Sequence, residues 1–304
     1  MSATMLASAS FQFSPEQLTP AAASALAYGK RAATLRGTPR AVPRIRQVSF
    51  YSGVALIVAV LVSPLASLSH QLFFAHMIEH LVIADFGALL LVLGLTGPMI
   101  APIMRVKEFD RLRVLAHPVV ALPLWAIDLY AWHVPALQEA ALRHDGLHAV
   151  QHLCFIFFGA NVWMCLFGPL PTPQWFGTGW KAIYIIGVRL CGAALANALL
   201  FGGSFYTAYA AGEAAHHISA KSDQAVAGGI MDVEQSLLTI GLFCWLFFRY
   251  ARESDARQEL LDLATARGVA LTPDRAARAV AAGRAGELRA RIERDAGAED
   301  RPVV

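Results

Sequence analysis

The sequence predicts an all-α, polytopic bundle of transmembrane helices with a charged C-terminal tail. Three observations carry this. Hydrophobic residues make up 56% of the 304 residues and charged residues only 15%, against about 25% charged in an ordinary globular chain. Mean hydropathy is +0.49, so the chain lacks the polar surface needed to face water all round. The apolar residues also fall in runs of roughly 20, the length of helix that crosses a hydrocarbon core of about 30 Å. Disordered, collagen-like, coiled-coil and disulfide-stapled classes are excluded on the same grounds.

Taken in order, residues 1–16 form an outer N-terminal segment without a basic stretch ahead of an apolar core, so no cleaved signal peptide is expected. Residues 18–28 are apolar but short, with Pro20 inside and Glu16 beside them. They read as an interfacial helix or a short first span. Six strong spans come next. Residues 48–68 carry no charge at all, whereas 72–104 hold Glu79 and Asp85 and should lose regular helix at Gly94, Gly97 and Pro98. Residues 114–135 enclose Asp128, and 146–167, 182–201 and 225–248 complete the set. The bundle is therefore placed at 17–250, with seven helices if the short one spans. Residues 251–304 form a charged helical tail in which Thr272-Pro273-Asp274 marks a helix start.

Charge placement sets the orientation. Lys30, Arg31, Arg36, Arg40, Arg44 and Arg46 share one side with Arg105, Lys107, Arg111, Arg113, Lys181 and the arginine-rich tail. The opposite loops hold Arg143 and Lys221 alone. Positive loops stay cytoplasmic, so the tail is expected inside a bacterial plasma membrane. A net charge of only +3 argues against a nucleic-acid partner. Cys154, Cys165, Cys191 and Cys244 sit in apolar segments without C-x-x-C spacing and read as small buried or lipid-facing residues.

Nine of the ten histidines fall at the outer ends of this map, with His117 alone at the cytoplasmic end. His76 and His80 are four residues apart, which stacks their rings on one helix face. His148 and His152 repeat the arrangement on another helix, with His144 one turn further out. Two such pairs facing one another give a four-nitrogen site, with His133 nearby, and imidazole suits copper, zinc and haem iron. Met77 and Cys154 are candidate soft neighbours. His70, His144, His216 and His217 read as ordinary interfacial residues. Asp223 is open to three roles: metal ligand, orienting group behind a histidine, or cap of its own helix. Arg189 lies at membrane depth and needs a partner. Glu234 fits by depth, with Asp85, Asp128 and Asp232 as other choices. His76-Met77-Ile78-Glu79-His80 also fits H-x-x-E-H, in which two histidines bind zinc and a glutamate activates water.

An ordered series of motifs then resembles the CtaG-type cytochrome c oxidase assembly family of bacterial membrane proteins. It runs from His76-Met77-x-x-His80 and Gly94-Leu-Thr-Gly97-Pro98 through Trp132-His133-Val-Pro135 and His148-Ala-Val-Gln-His152-Leu. Asp223-Gln224 and Gly228-Gly229-x-Met231 complete it, so that it covers roughly residues 15–250. The resemblance implies seven helices, a part in maturing haem–copper oxidases at copper insertion, and metal-site roles for His76, His80, His133, His148, His152 and Asp223. Its implied partners are an oxidase subunit, the lipid bilayer and a periplasmic or extracellular copper chaperone. Such a protein turns over no substrate. The family commonly carries glutamine where this chain has Glu79, which weighs against a glutamate-dependent hydrolase. The rival readings are a haem-binding electron carrier with one axial histidine from each of two helices, a membrane zinc hydrolase using Glu79, and a structural oxidase partner without metal.

Overall fold

A computed structural model describes residues 11, 13–105, 114–115 and 117–299, and all regular structure among them is helical. Lys107, Arg111 and Arg113, assigned by sequence to the basic side, lie outside the described residues. So do residues 1–10 of the N-terminal segment. The chain divides into two compact units, Met1–Thr239 and Ile240–Val304.

In the first unit, helix α1 (Pro15–Leu35) precedes α2 (Arg44–Val62) and the short α3 (Pro64–Ser69). The next span is composite. It begins as α4 (Phe73–Leu81), widens into a π-helical turn at Val82–Gly87 and resumes as α5 (Ala88–Gly94). A short turn, α6 (Gly97–Ile100), lies just beyond the expected break at Gly94. Helix α7 (Pro118–Trp132) is capped by His117, whose Nδ1 accepts from Val119 N–H at 3.3 Å. It bends by 70° into α8 (Pro135–Arg143). Then come α9 (Asp145–Phe167), α10 (Thr178–Phe201), the single turn-and-a-half of α11 (Ala210–Ala215) and the long α12 (Ala220–Ala266).

Five of these helices are long and apolar enough to cross a membrane, and six if the bent pair counts as one span. The sequence points to seven. Helix α1 exists over its full length, but Lys30 and Arg31 within it and Pro20 near its start leave it short of spanning hydropathy. The last span also differs from expectation. It does not stop at Phe248 but runs on as helix to Ala266, because Arg249 and Glu253 pair along it at 2.7 Å and no breaker intervenes before Gly268.

Two packing features position the site. The first is close backbone approach. A Cβ added at Gly159 on α9 would lie 2.5 Å from the Ala84 carbonyl in the π-turn, and one at Gly94 would lie 2.5 Å from Phe50 Cβ on α2. Small residues at such crossings let membrane helices meet closely. The second is carbonyl capping at the end of the composite span. Tyr28 donates to Gly94 O at 3.0 Å, Arg46 to Leu93 O at 2.6 Å and Arg31 to Pro98 O at 2.8 Å. Cations there complement the negative end of the helix dipole.

Arg189 on α10 takes Asp232 on α12 as its partner at 2.7 Å, with Ser236 Oγ at 3.1 Å. Glu234, favoured from depth alone, is turned away by two residues of helical phase, about 200° at 3.6 residues per turn, and its oxygens have no hydrogen-bond partner. Asp232→Ala should therefore strand a cation at membrane depth and cost about 3 kcal/mol. Arg189→Met combined with Asp232→Leu should recover most of that loss, measured as thermal stability in detergent. A double variant no better than Asp232→Ala would show that the pair does not act as a unit.

The second unit carries two helices after α12: α13 (Pro273–Ala281) and α14 (Ala285–Glu299). Thr272 caps α13, its Oγ1 accepting from Arg275 N–H at 3.3 Å as the sequence predicts. Leu260, Ala264, Ala276 and Ile292 form a small apolar core that holds these helices to the end of α12.

Candidate metal centre

The site is assembled on α4 and α9. Helix α4 opens without a local cap, since Leu72 precedes it in extended conformation and offers no side-chain acceptor. The cap comes from elsewhere. Asp223 Oδ2 and Oδ1 accept from Phe73 N–H and Phe74 N–H, each at 2.8 Å, across 150 residues of chain. Asp223 is 1% exposed, and both its oxygens are engaged, which places it as the anchor of the histidine helix. The cap of its own helix is Ser219 instead, whose Oγ accepts from Ser222 N–H at 3.1 Å. The neighbouring Gln224 pins the loop before α11, donating to Leu199 O and Gly203 O and accepting from Phe205 N–H at 2.8 Å.

With α4 so fixed, its i,i+4 pair meets that of α9. Ring centroids of His76 and His80 are 4.1 Å apart, and those of His148 and His152 are 4.3 Å apart. Across the interface His76 stacks on His148 at 5.2 Å and His80 meets His152 edge-on at 5.3 Å. All four are buried, and among the described residues none of their eight ring nitrogens has a hydrogen-bond partner. Ligand atoms of His76, His80 and His148 lie within 4.8 Å of one another, as do those of Glu79, His148 and His152.

Aromatic and amide side chains close the pocket. Phe155 lies 4.6 Å from His80, and Tyr209 lies 6.3 Å from His76 and edge-on to Phe73 at 5.6 Å. Gln138 donates to the Tyr209 hydroxyl at 3.1 Å and accepts from Gln151 at 2.8 Å, so an amide chain links α8, α9 and the loop before α11. Burial holds the Tyr209 phenol well above its usual pKa range, so it stays protonated.

His133 stands one layer away. Its Nδ1–H donates to Leu129 O at 2.7 Å, which leaves the Nε2 lone pair facing Met77 Sδ at 3.4 Å. Met77 thus turns from the cluster toward His133. Cys154 belongs to neither three-ligand group. His70, half-buried, meets His148 edge-on at 5.3 Å, and burial lowers its pKa against the pull of Asp145. His216 bonds Gln71 Oε1 at 3.0 Å and so has a structural partner, while His144 and His217 are exposed. Sequence reasoning missed the roles of Gln138, Gln151 and Tyr209. A glutamine between two histidines at membrane depth was the available signal, since a polar amide there needs a partner.

The fold and the site together define a class: a helical membrane protein with a buried imidazole cluster whose ring nitrogens have no hydrogen-bond partner among the described residues. The chain belongs to the cytochrome c oxidase caa3 assembly factor (Caa3_CtaG) family, whose family model matches residues 26–253. No match is found among curated proteins or among solved structures.

Proposed function

We propose that this protein handles copper for cytochrome c oxidase assembly, holding the ion through His76, His80, His148 and His152 and passing it on. The observation that carries the reading is the set of eight unpartnered ring nitrogens in a buried pocket. Buried polar atoms without partners are costly, and neutral imidazole nitrogens are good copper ligands. The donor set fits the group. Copper would arrive at the outer face of the bacterial cell membrane from an extracytoplasmic chaperone and leave for an oxidase subunit.

The residues divide the task. The i,i+4 pairs supply nitrogen ligands, and Asp223 sets the height and direction of α4. Phe155, Phe73 and Tyr209 exclude water. The His133–Met77 pair offers Cu(I) a further nitrogen–sulfur contact. A haem would require a flat slot between its two axial ligands, and imidazoles 4–6 Å apart already occupy that space.

The test is the copper content of the client. In cells lacking the native copy, oxidase from cells given the wild-type chain should carry its full copper. Oxidase from cells given His80→Ala/His152→Ala should be depleted at least about fivefold. Equal copper in both preparations would refute the reading.

A further inference from the structure

Glu79 supplies the one carboxylate within the two three-ligand groups. It is 1% exposed, its Oε1 lies 3.9 Å from His152 Nε2, and its Oε2 has no partner. The nearby carboxylate of Asp223 is fully engaged by Phe73 and Phe74, so Glu79 is the carboxylate of the cluster with an oxygen left to offer an ion. His148 belongs both to the all-imidazole group and to the group that contains Glu79.

We infer that the cluster offers two alternative ion positions sharing His148, and that the Glu79 position takes a divalent first-row cation. This rests on the metal-handling function proposed for the same cluster. The chemistry separates the two positions. A monovalent soft ion among three neutral imidazoles leaves a buried charge of only +1 and is satisfied by nitrogen donors without an anionic ligand. A divalent ion in the same all-nitrogen position would leave twice that charge, and bare buried charge is expensive. Direct carboxylate ligation removes one unit of it and supplies the harder oxygen donor such ions accept. Because His148 serves both positions, the occupants exclude each other. Glu79 in this arrangement is a ligand rather than a base acting on bound water.

The experiment uses the full-length chain in detergent, titrated with Zn(II) and, without oxygen, with Cu(I) against a chromophoric chelator. Wild type should bind one equivalent of either ion, each displacing the other. Glu79→Gln should keep Cu(I) affinity within about threefold and weaken Zn(II) by at least about tenfold. Unchanged Zn(II) affinity in that variant, or both ions held at once by wild type, would overturn the proposal. X-ray absorption of Zn(II)-loaded wild type gives a readout that needs no variant: mixed oxygen and nitrogen ligation supports the position, and nitrogen-only ligation overturns it. Uptake of Zn(II) without Cu(I) would sink the copper reading and leave the Glu79 position standing, whereas uptake of Cu(I) alone would do the reverse.

Discussion

His76→Ala/His148→Ala should reduce copper in the purified protein from about one ion per chain to below about a tenth. His148 belongs to both ligand groups and His76 stacks on it at 5.2 Å, so the pair removes a donor from every arrangement the pocket offers. Stability separates ligation from misfolding. Copper bound only by the folded state stabilises it by RT ln(1 + [L]/Kd), about 2.7 kcal/mol at a hundredfold excess over Kd. Wild type should gain that on loading, read as a rise in Tm, and the double variant should gain nothing. The copper-free variant should melt near copper-free wild type, because the cavity left by two rings opposes the relief of four unpartnered nitrogens. A variant that still binds copper and still gains stability would end the case for this cluster as the site.

Asp223→Ala should be the most destabilising single change near the site, by roughly 2–5 kcal/mol. It orphans one buried and one half-buried backbone N–H group at about 1–3 kcal/mol each and removes a negative charge from the positive end of α4. Asp223→Asn keeps one carbonyl acceptor and should lose about half as much. Thermal melts of the three proteins in the same detergent decide it. A wild-type Tm in Asp223→Ala would show that the start of α4 finds its hydrogen bonds elsewhere.

Much of the site was legible because helical phase is a local property. The spacings from His76 to His80 and from His148 to His152 fix each pair on one face, whatever lies opposite. What one helix presents to another depends on register, which sequence does not carry. Arg189 therefore found Asp232 rather than Glu234, and Asp223 capped α4 rather than its own helix. Glu79 carried an H-x-x-E-H signal, but its place beside His148 and His152 emerges only once α4 and α9 are packed. At α1 helix-forming sequence and membrane-crossing hydropathy part company, so the helix is present there without the apolar length that marks the other spans.

The π-turn at Val82–Gly87 makes the composite span two rods with separate phase. Each residue added to or taken from a helix rotates the rest of that helix by about 100°, and a wide turn absorbs such a residue locally. The half bearing His76 and His80 is aimed by Asp223, while the half ending at Gly94 is held by Tyr28 and Arg46 and by contact with α2. A chain that lost one residue within 82–87 could keep either alignment but not both. The histidine end and the anchored end of this helix thus meet their separate partners only as long as that turn keeps its extra residue.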